Sequence, residues 1–171
     1  MLSARGGLVA IALALGLAGL AGCQVRPLYS SGSGVPGPQA DLPAISVDEP
    51  VSREEQVYRN ELLFGLRGGG AGQPPRYALT YRTTVREQGL AVERGTGTPN
   101  AYQLIGGSSF LLKDAGTGRS LFGSSVTAVA SYTRSSQNFA NIRARRDAED
   151  RLATSLAQLT QARLAAFFAT N

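Results

Sequence analysis

The segment Arg76-Tyr77-Ala78-Leu79-Thr80-Tyr81-Arg82-Thr83-Thr84-Val85-Arg86 decides the fold. Tyr77, Leu79, Tyr81, Thr83 and Val85 share one parity while Thr80, Arg82, Thr84 and Arg86 take the other, the period of two of a strand with one face buried and one in water. One-sided strands of this kind belong to antiparallel sheets. Downstream, Gly89 to Asn100 reads as a strand end and loop, and Tyr102, Leu104, Phe110 and Leu112 share parity through a second strand. Gly106-Gly107 inside it marks a bulge or a close backbone approach. Asp114-Ala115-Gly116-Thr117-Gly118 is a turn, with glycine where a positive φ is needed. Arg119 to Thr133 then alternates as a third strand, so the pair forms a hairpin.

Upstream, Ile45-Ser46-Val47 is a short alternating segment ended by Pro50, which predicts a brief edge strand. Ser52-Arg53-Glu54-Glu55 matches the capping box directly before Val57, Tyr58, Leu62, Leu63, Phe64 and Leu66, a helix that Gly68-Gly69-Gly70 stops. From Phe139 to Ala169 no Gly or Pro interrupts an amphipathic helical pattern. Its apolar arc holds Ala148, Leu152, Leu156, Leu159 and Phe167, with Arg143, Asp147, Asp150 and Gln161 opposite. The expected fold is α+β: a two-layer sandwich in the order β-α-β-β-β-α, with a four-stranded, mostly antiparallel sheet. Both helices pack on one sheet face and leave the other free.

Composition removes most enzyme chemistry. Among 171 residues there is no His, no Trp and a single Cys, so His-ligated metals, Ser-His-Asp triads, Cys-His dyads and Cys-pair zinc sites are excluded. No catalytic residue, metal or cofactor is expected. The 12 acidic residues sit largely at helix starts or beside arginines, as in Glu54-Glu55 and Asp147-Glu149-Asp150, where capping and i,i+4 pairing account for them. Gly68-Gly69-Gly70 and Gly95-Thr96-Gly97 lack the spacing of a phosphate loop.

The N-terminus carries an address. One charge, Arg5, precedes thirteen apolar or small residues, Leu8 to Leu20, too few for a bilayer span of about 20 residues but right for a secretory signal. The run ends in Leu20-Ala21-Gly22-Cys23, similar to a bacterial lipobox. Residues 1–22 are therefore read as a lipoprotein signal peptide and Cys23 as the site of lipid attachment, several acyl chains giving firm anchorage. Residues 23–43, rich in Gly, Pro and Ser, cannot bury a core and read as a lipidated tether. The folded domain is expected over 44–171.

Residues 23–171 carry 16 basic and 12 acidic groups. Seven basic residues against three acidic ones fall between Arg76 and Arg134, so the sheet region alone carries the whole +4 excess. Arg82, Arg86 and Arg94 run toward one end of the first long strand, and Lys113 and Arg119 flank the hairpin turn. Solvated strands commonly carry such charges; the sharper reading makes Arg86, Arg94, Lys113 and Arg119 an anion-binding set, Arg forks meeting phosphate bidentately. Tyr77, Tyr81 and Tyr102 could stack bases, but their parity with Leu79, Leu104 and Phe110 assigns them to the core, and no nucleic-acid partner is expected.

These pieces together resemble the LptE family of lipopolysaccharide-assembly lipoproteins, in its alphaproteobacterial form. The resemblance rests on Cys23 followed by Arg26-Pro27-Leu28-Tyr29, the helix opened by Ser52-Arg53-Glu54-Glu55, the Tyr-rich strand from Arg76, the turn at Asp114–Gly118, and Phe139 leading to Arg146-Asp147-Ala148-Glu149. It implies a lipid-anchored, periplasm-facing outer-membrane protein with no catalytic activity. Such a protein plugs an LptD-type β-barrel, assists its assembly and binds lipopolysaccharide through basic side chains, here the candidates Arg86, Arg94, Lys113 and Arg119. Gln24 after the Cys, in place of Asp, suits outer-membrane sorting. The same lipobox, tether and mixed fold also suit an accessory lipoprotein of a periplasmic lipid-transport ATP-binding-cassette system. The two are separated by which integral membrane protein stays bound in mild detergent.

Overall fold

The computed structural model describes residues 41–92 and 99–170; Cys23, the signal segment, most of the tether and Arg94 lie outside the described residues. A 3-10 turn at Leu42–Ala44 leads into β1 (Ile45–Val47), α1 (Arg53–Arg67), β2 (Tyr77–Val92), β3 (Pro99–Asp114), β4 (Ser120–Thr133) and α2 (Asn138–Thr170). The sheet order is β1-β2-β3-β4, with β1 parallel to β2 and the other pairs antiparallel. This is the β-α-β-β-β-α sandwich expected, with its helices on one face.

Local chemistry explains the boundaries. Glu55 N donates to Ser52 Oγ at 3.2 Å, as a capping box requires, but the Glu55 carboxylate reaches back to Val51 N (2.9 Å) instead of the cap residue's own N–H. Gly68 ends α1 in the left-handed conformation, φ 59°, open to glycine without strain. Between β3 and β4 Asp114 accepts from Gly116 N, Thr117 N and the Thr117 hydroxyl, and Gly118 takes φ 70°.

Tyr77↔Asp114 through Gly89↔Tyr102 pair without interruption, so Gly106-Gly107 is not a bulge; irregularities fall instead at Gly89–Val92 and at Leu112/Lys113. Gly106 is the close approach, buried beneath Leu152. Leu79, Leu104, Phe110, Leu112 and Val126 from the sheet meet Tyr58, Leu62 and Leu66 of α1 and Leu152, Leu156 and Leu164 of α2. Each fully buried Leu contributes about 1.5–3 kcal/mol. Leu42 is buried with them.

The long helix departs from its expected wheel. Its buried positions are Ala148, Leu152, Ala153, Leu156, Ala157, Thr160, Leu164 and Ala165, whereas Leu159 is 43 % exposed. Asp150 and Gln161, expected to face water, instead meet α1: Arg53 donates to Asp150 at 2.8 Å and Gln161 Nε2 to Gly65 O at 3.0 Å. Contact with a second helix rotates the buried arc toward α1, and the spacing of residues within α2 alone does not encode that contact. Gly65 is what lets Gln161 in, since a Cβ there would collide with its side-chain amide.

Candidate functional site

The register sorts the sheet's side chains into two faces. Tyr81, Phe110 and Ser124 lie in one row under the helices, as do Glu87, Leu104 and Ala130. The opposite parity faces away, with Arg82, Ser109 and Ser125 in one row, Thr84, Gly107 and Thr127 in the next, then Arg86, Ile105 and Val129. Among the described residues this open face carries Arg82, Arg86 and Lys113 and no carboxylate. Everything else on it is small, hydroxylic, amide or aliphatic.

The acidic residues of this region are occupied elsewhere. Glu87 points to the helix side, accepts from Tyr132 Oη (3.0 Å) and pairs with Arg134 (3.4 Å) and Arg145 (3.5 Å). Arg134 also lies over the Tyr102 ring at 4.1 Å, a cation–π contact. Hydrogen bonds from the Thr117 hydroxyl and N–H hold the Asp114 carboxyl below its ordinary range, with Arg119 helping, so Asp114 belongs to its turn. Arg76 is taken by Asp41. Arg82, Arg86 and Lys113 remain with no carboxylate partner among the described residues.

The structure does not gather the candidate set at one point. Lys113 pairs with Ala78 at the hairpin end beside Arg119, while Arg86 lies eight residues further along β2, about 26 Å away at 3.3 Å per residue. Arg94 lies outside the described residues. Arg82 sits midway, about 13 Å from Arg86. It was absent from the set although its parity matches that of Arg86, which is the signal that could have added it.

A concavity lies between the start of α1, β2 and α2, lined by Glu54, Glu55, Glu87 and Glu149 with Arg145. Its carboxylates serve the fold: Glu55 also accepts from the Thr83 hydroxyl at 3.0 Å and Glu149 from Arg145 at 3.0 Å. Glu54 is held below its ordinary pKa by its own backbone N–H and by the Ser52 hydroxyl. Capping and pairing account for the group, as the sequence implied. Among the described residues no three His, Cys, Asp or Glu side chains are placed to hold a metal, and no helix is long and apolar enough to cross a membrane.

The sequence model of the LptE family, described as lipopolysaccharide assembly, matches residues 42–164. The chain belongs to the LptE family. Membership places it in lipopolysaccharide assembly at the cell envelope. No curated protein sequence matches the chain significantly, but solved structures share its fold. A lipoprotein from Caulobacter crescentus CB15 is 22 % identical with a TM-score of 0.65, over 78 % of this chain and 97 % of that one. A minor lipoprotein from Acinetobacter baumannii is 20 % identical with a TM-score of 0.57, over 71 % and 90 %. Rare lipoprotein B from Shewanella oneidensis is 13 % identical with a TM-score of 0.53, over 72 % and 92 %.

Proposed function

We propose that this member of the LptE family is a non-enzymatic outer-membrane lipoprotein, held through Cys23 and facing the periplasm. It plugs an LptD-type β-barrel, assists the barrel's assembly and contacts lipopolysaccharide on its way to the outer leaflet. The family match over residues 42–164 carries this reading, and the lipobox ending at Cys23 supports the anchor. The open face supports the lipopolysaccharide contact: Arg82, Arg86 and Lys113 stand on a surface without carboxylates, as phosphate groups require. Arg119 extends the candidate set at the hairpin end, and Arg94 belongs to it on the sequence alone.

Mild detergent extraction of the membrane-bound chain followed by affinity purification tests the proposal. An outer-membrane β-barrel should copurify in about equal amount. Recovery of inner-membrane transporter subunits instead would overturn it in favour of an ATP-binding-cassette accessory role.

A further inference from the structure

The two edges of this sheet are treated differently. A sheet edge presents unpaired N–H and C=O groups, and natural proteins guard such edges with charge, proline, bulges or short strands. On the first edge β1 has only three residues, and Arg59 Nε donates to Val47 O and Asp48 O at 3.3 and 3.0 Å. Beyond β1 the uncovered part of β2 carries the exposed Arg82 and Arg86 and ends in an irregular register. That edge is guarded.

The other edge is β4, Ser-Leu-Phe-Gly-Ser-Ser-Val-Thr-Ala-Val-Ala-Ser-Tyr-Thr over Ser120–Thr133, 14 residues without a charge or a proline. Its pairing with β3 runs unbroken from Phe122 to Thr133. Arg134 N donates to Asn100 O at 2.8 Å, so even-numbered residues turn their main chain toward β3. Antiparallel alternation then turns the N–H and C=O of Gly123, Ser125, Thr127, Val129 and Ser131 outward. Among the described residues one side chain meets them: Arg151 Nη2 donates to Ser131 O at 3.0 Å.

A second observation marks the same rim. Leu159 lies about 180–200° around α2 from Asp150 and Gln161, the residues that touch α1. It therefore sits on the flank of α2 above β4, and it is 43 % exposed. Val129, on the same rim, is 50 % exposed.

We infer that the outer edge of β4, from Gly123 to Ser131, is a strand-addition site for an extended segment of a partner protein, with Leu159 as its apolar wall. The inference rests on the assembly reading above and names the surface that would serve it. Only another extended backbone complements a row of alternating N–H and C=O groups. A second copy is the less suited occupant: two-fold antiparallel pairing of β4 would bring its α2 onto the same side of the joined sheet, beside this one, since α2 packs on β4 and β3 as well as on α1. The chain's own N-terminal segment is unsuited too. Pro27, Pro36 and Pro38 interrupt it, and it enters at Asp41 beside Arg76 and Tyr77, on the guarded side.

The full-length chain carrying a photoreactive amino acid at Thr127, at Val129 or, for comparison, at Arg82 is irradiated in intact cells. An adduct with an outer-membrane β-barrel protein is expected from Thr127 and Val129. Val129→Pro removes an outward N–H while sparing the β3 ladder, so it should keep its thermal transition yet retain the barrel about fivefold to tenfold less well; Val129→Ala should retain it normally. Adducts with a second copy of the chain, or with the barrel from Arg82 alone, would overturn strand addition while the assembly reading stands. Absence of a barrel from every adduct and from the detergent extract would overturn both. The cross-linking arm decides the question even where Val129→Pro fails to fold.

Discussion

Gly106 lies directly beneath Leu152. A Cβ on Gly106 would stand 2.9 Å from Leu152 Cδ2 and 3.0 Å from its Cγ, and both residues are buried, so the helix rests on bare backbone at this point. Gly106→Ala should cost about 1–3 kcal/mol by overpacking, and Leu152→Ala about 2–5 kcal/mol by leaving a cavity. Because the added methyl would occupy that cavity, the double variant should lose less than the two losses combined. Urea melts of the four proteins measure the coupling, and strict additivity would show that the contact is not what holds the helix at this height.

Tyr58 and Tyr81, with rings 5.0 Å apart, predict opposite outcomes for the same substitution. Tyr58 Oη donates to Thr160 Oγ1 (3.0 Å) and accepts from Ser108 Oγ (3.1 Å), joining α1, α2 and β3 through three buried hydroxyls. Tyr58→Phe strands two of them and should cost about 1–3 kcal/mol. Tyr81 Oη is buried with no hydrogen-bond partner among the described residues, so Tyr81→Phe should be neutral or mildly stabilising. Thermal melts at neutral pH separate the two.

The same pair contributes to the alkaline limit, together with Tyr77 and Tyr132, whose pKa burial also raises. Burial raises the pKa of Tyr58 and pushes Tyr81 from 10.0 up to about 12, with Glu55 adding to the shift at Tyr81. A tyrosine whose folded pKa lies above its unfolded value adds stability that is complete below pH 10 and is lost as pH rises toward the folded pKa, because the unfolded chain gives up its proton first. Stability should therefore fall between about pH 10 and 12, and Tyr81→Phe should flatten that fall. Urea midpoints followed across this range check the slope.

The element order was legible because its signals are local. Parity in β2, the Ser52 cap and the Asp114–Gly118 turn each act within a few residues, and each appears where the sequence put it. What the sequence did not reveal depends on neighbours. The exposure of Leu159 and the engagement of Asp150 and Gln161 follow from α1 lying beside α2, and no period within α2 encodes that. The candidate cations were found by type and count, but their separation needed the register, since Lys113 and Arg86 belong to strands whose alignment places them eight residues apart along the sheet. The bare edge of β4 was visible as fourteen uncharged residues, yet it became an edge only once the strand order was known.

If Cys23 is the acylated residue, as proposed, Cys23→Ala should leave a precursor that takes up no labelled fatty acid and fails to reach its membrane. Equal label in both proteins would place the acyl chain elsewhere or remove it from the account.

Charge reversal on the open face tests the lipopolysaccharide contact. Arg82 and Arg86 lie about 13 Å apart, beyond the roughly 8 Å screening length of physiological salt, so each must act on an anion close to it and their effects should accumulate. Arg82→Glu with Arg86→Glu should weaken binding of the full-length chain to lipopolysaccharide by at least about tenfold at low salt, with a shallower salt dependence because attractive contacts are lost. Lys113→Glu with Arg119→Glu, at the other end of the strand, reports whether the ligand extends along the whole face or occupies one end. Arg143 and Arg146 provide the comparison: both are exposed on α2, reversal there changes net charge by the same amount, and binding should stay within about twofold of wild type if position matters more than total charge. Equal losses from the sheet and helix pairs would mean that lipopolysaccharide senses only the chain's overall positive charge, and the open face would then have no specific part in its capture.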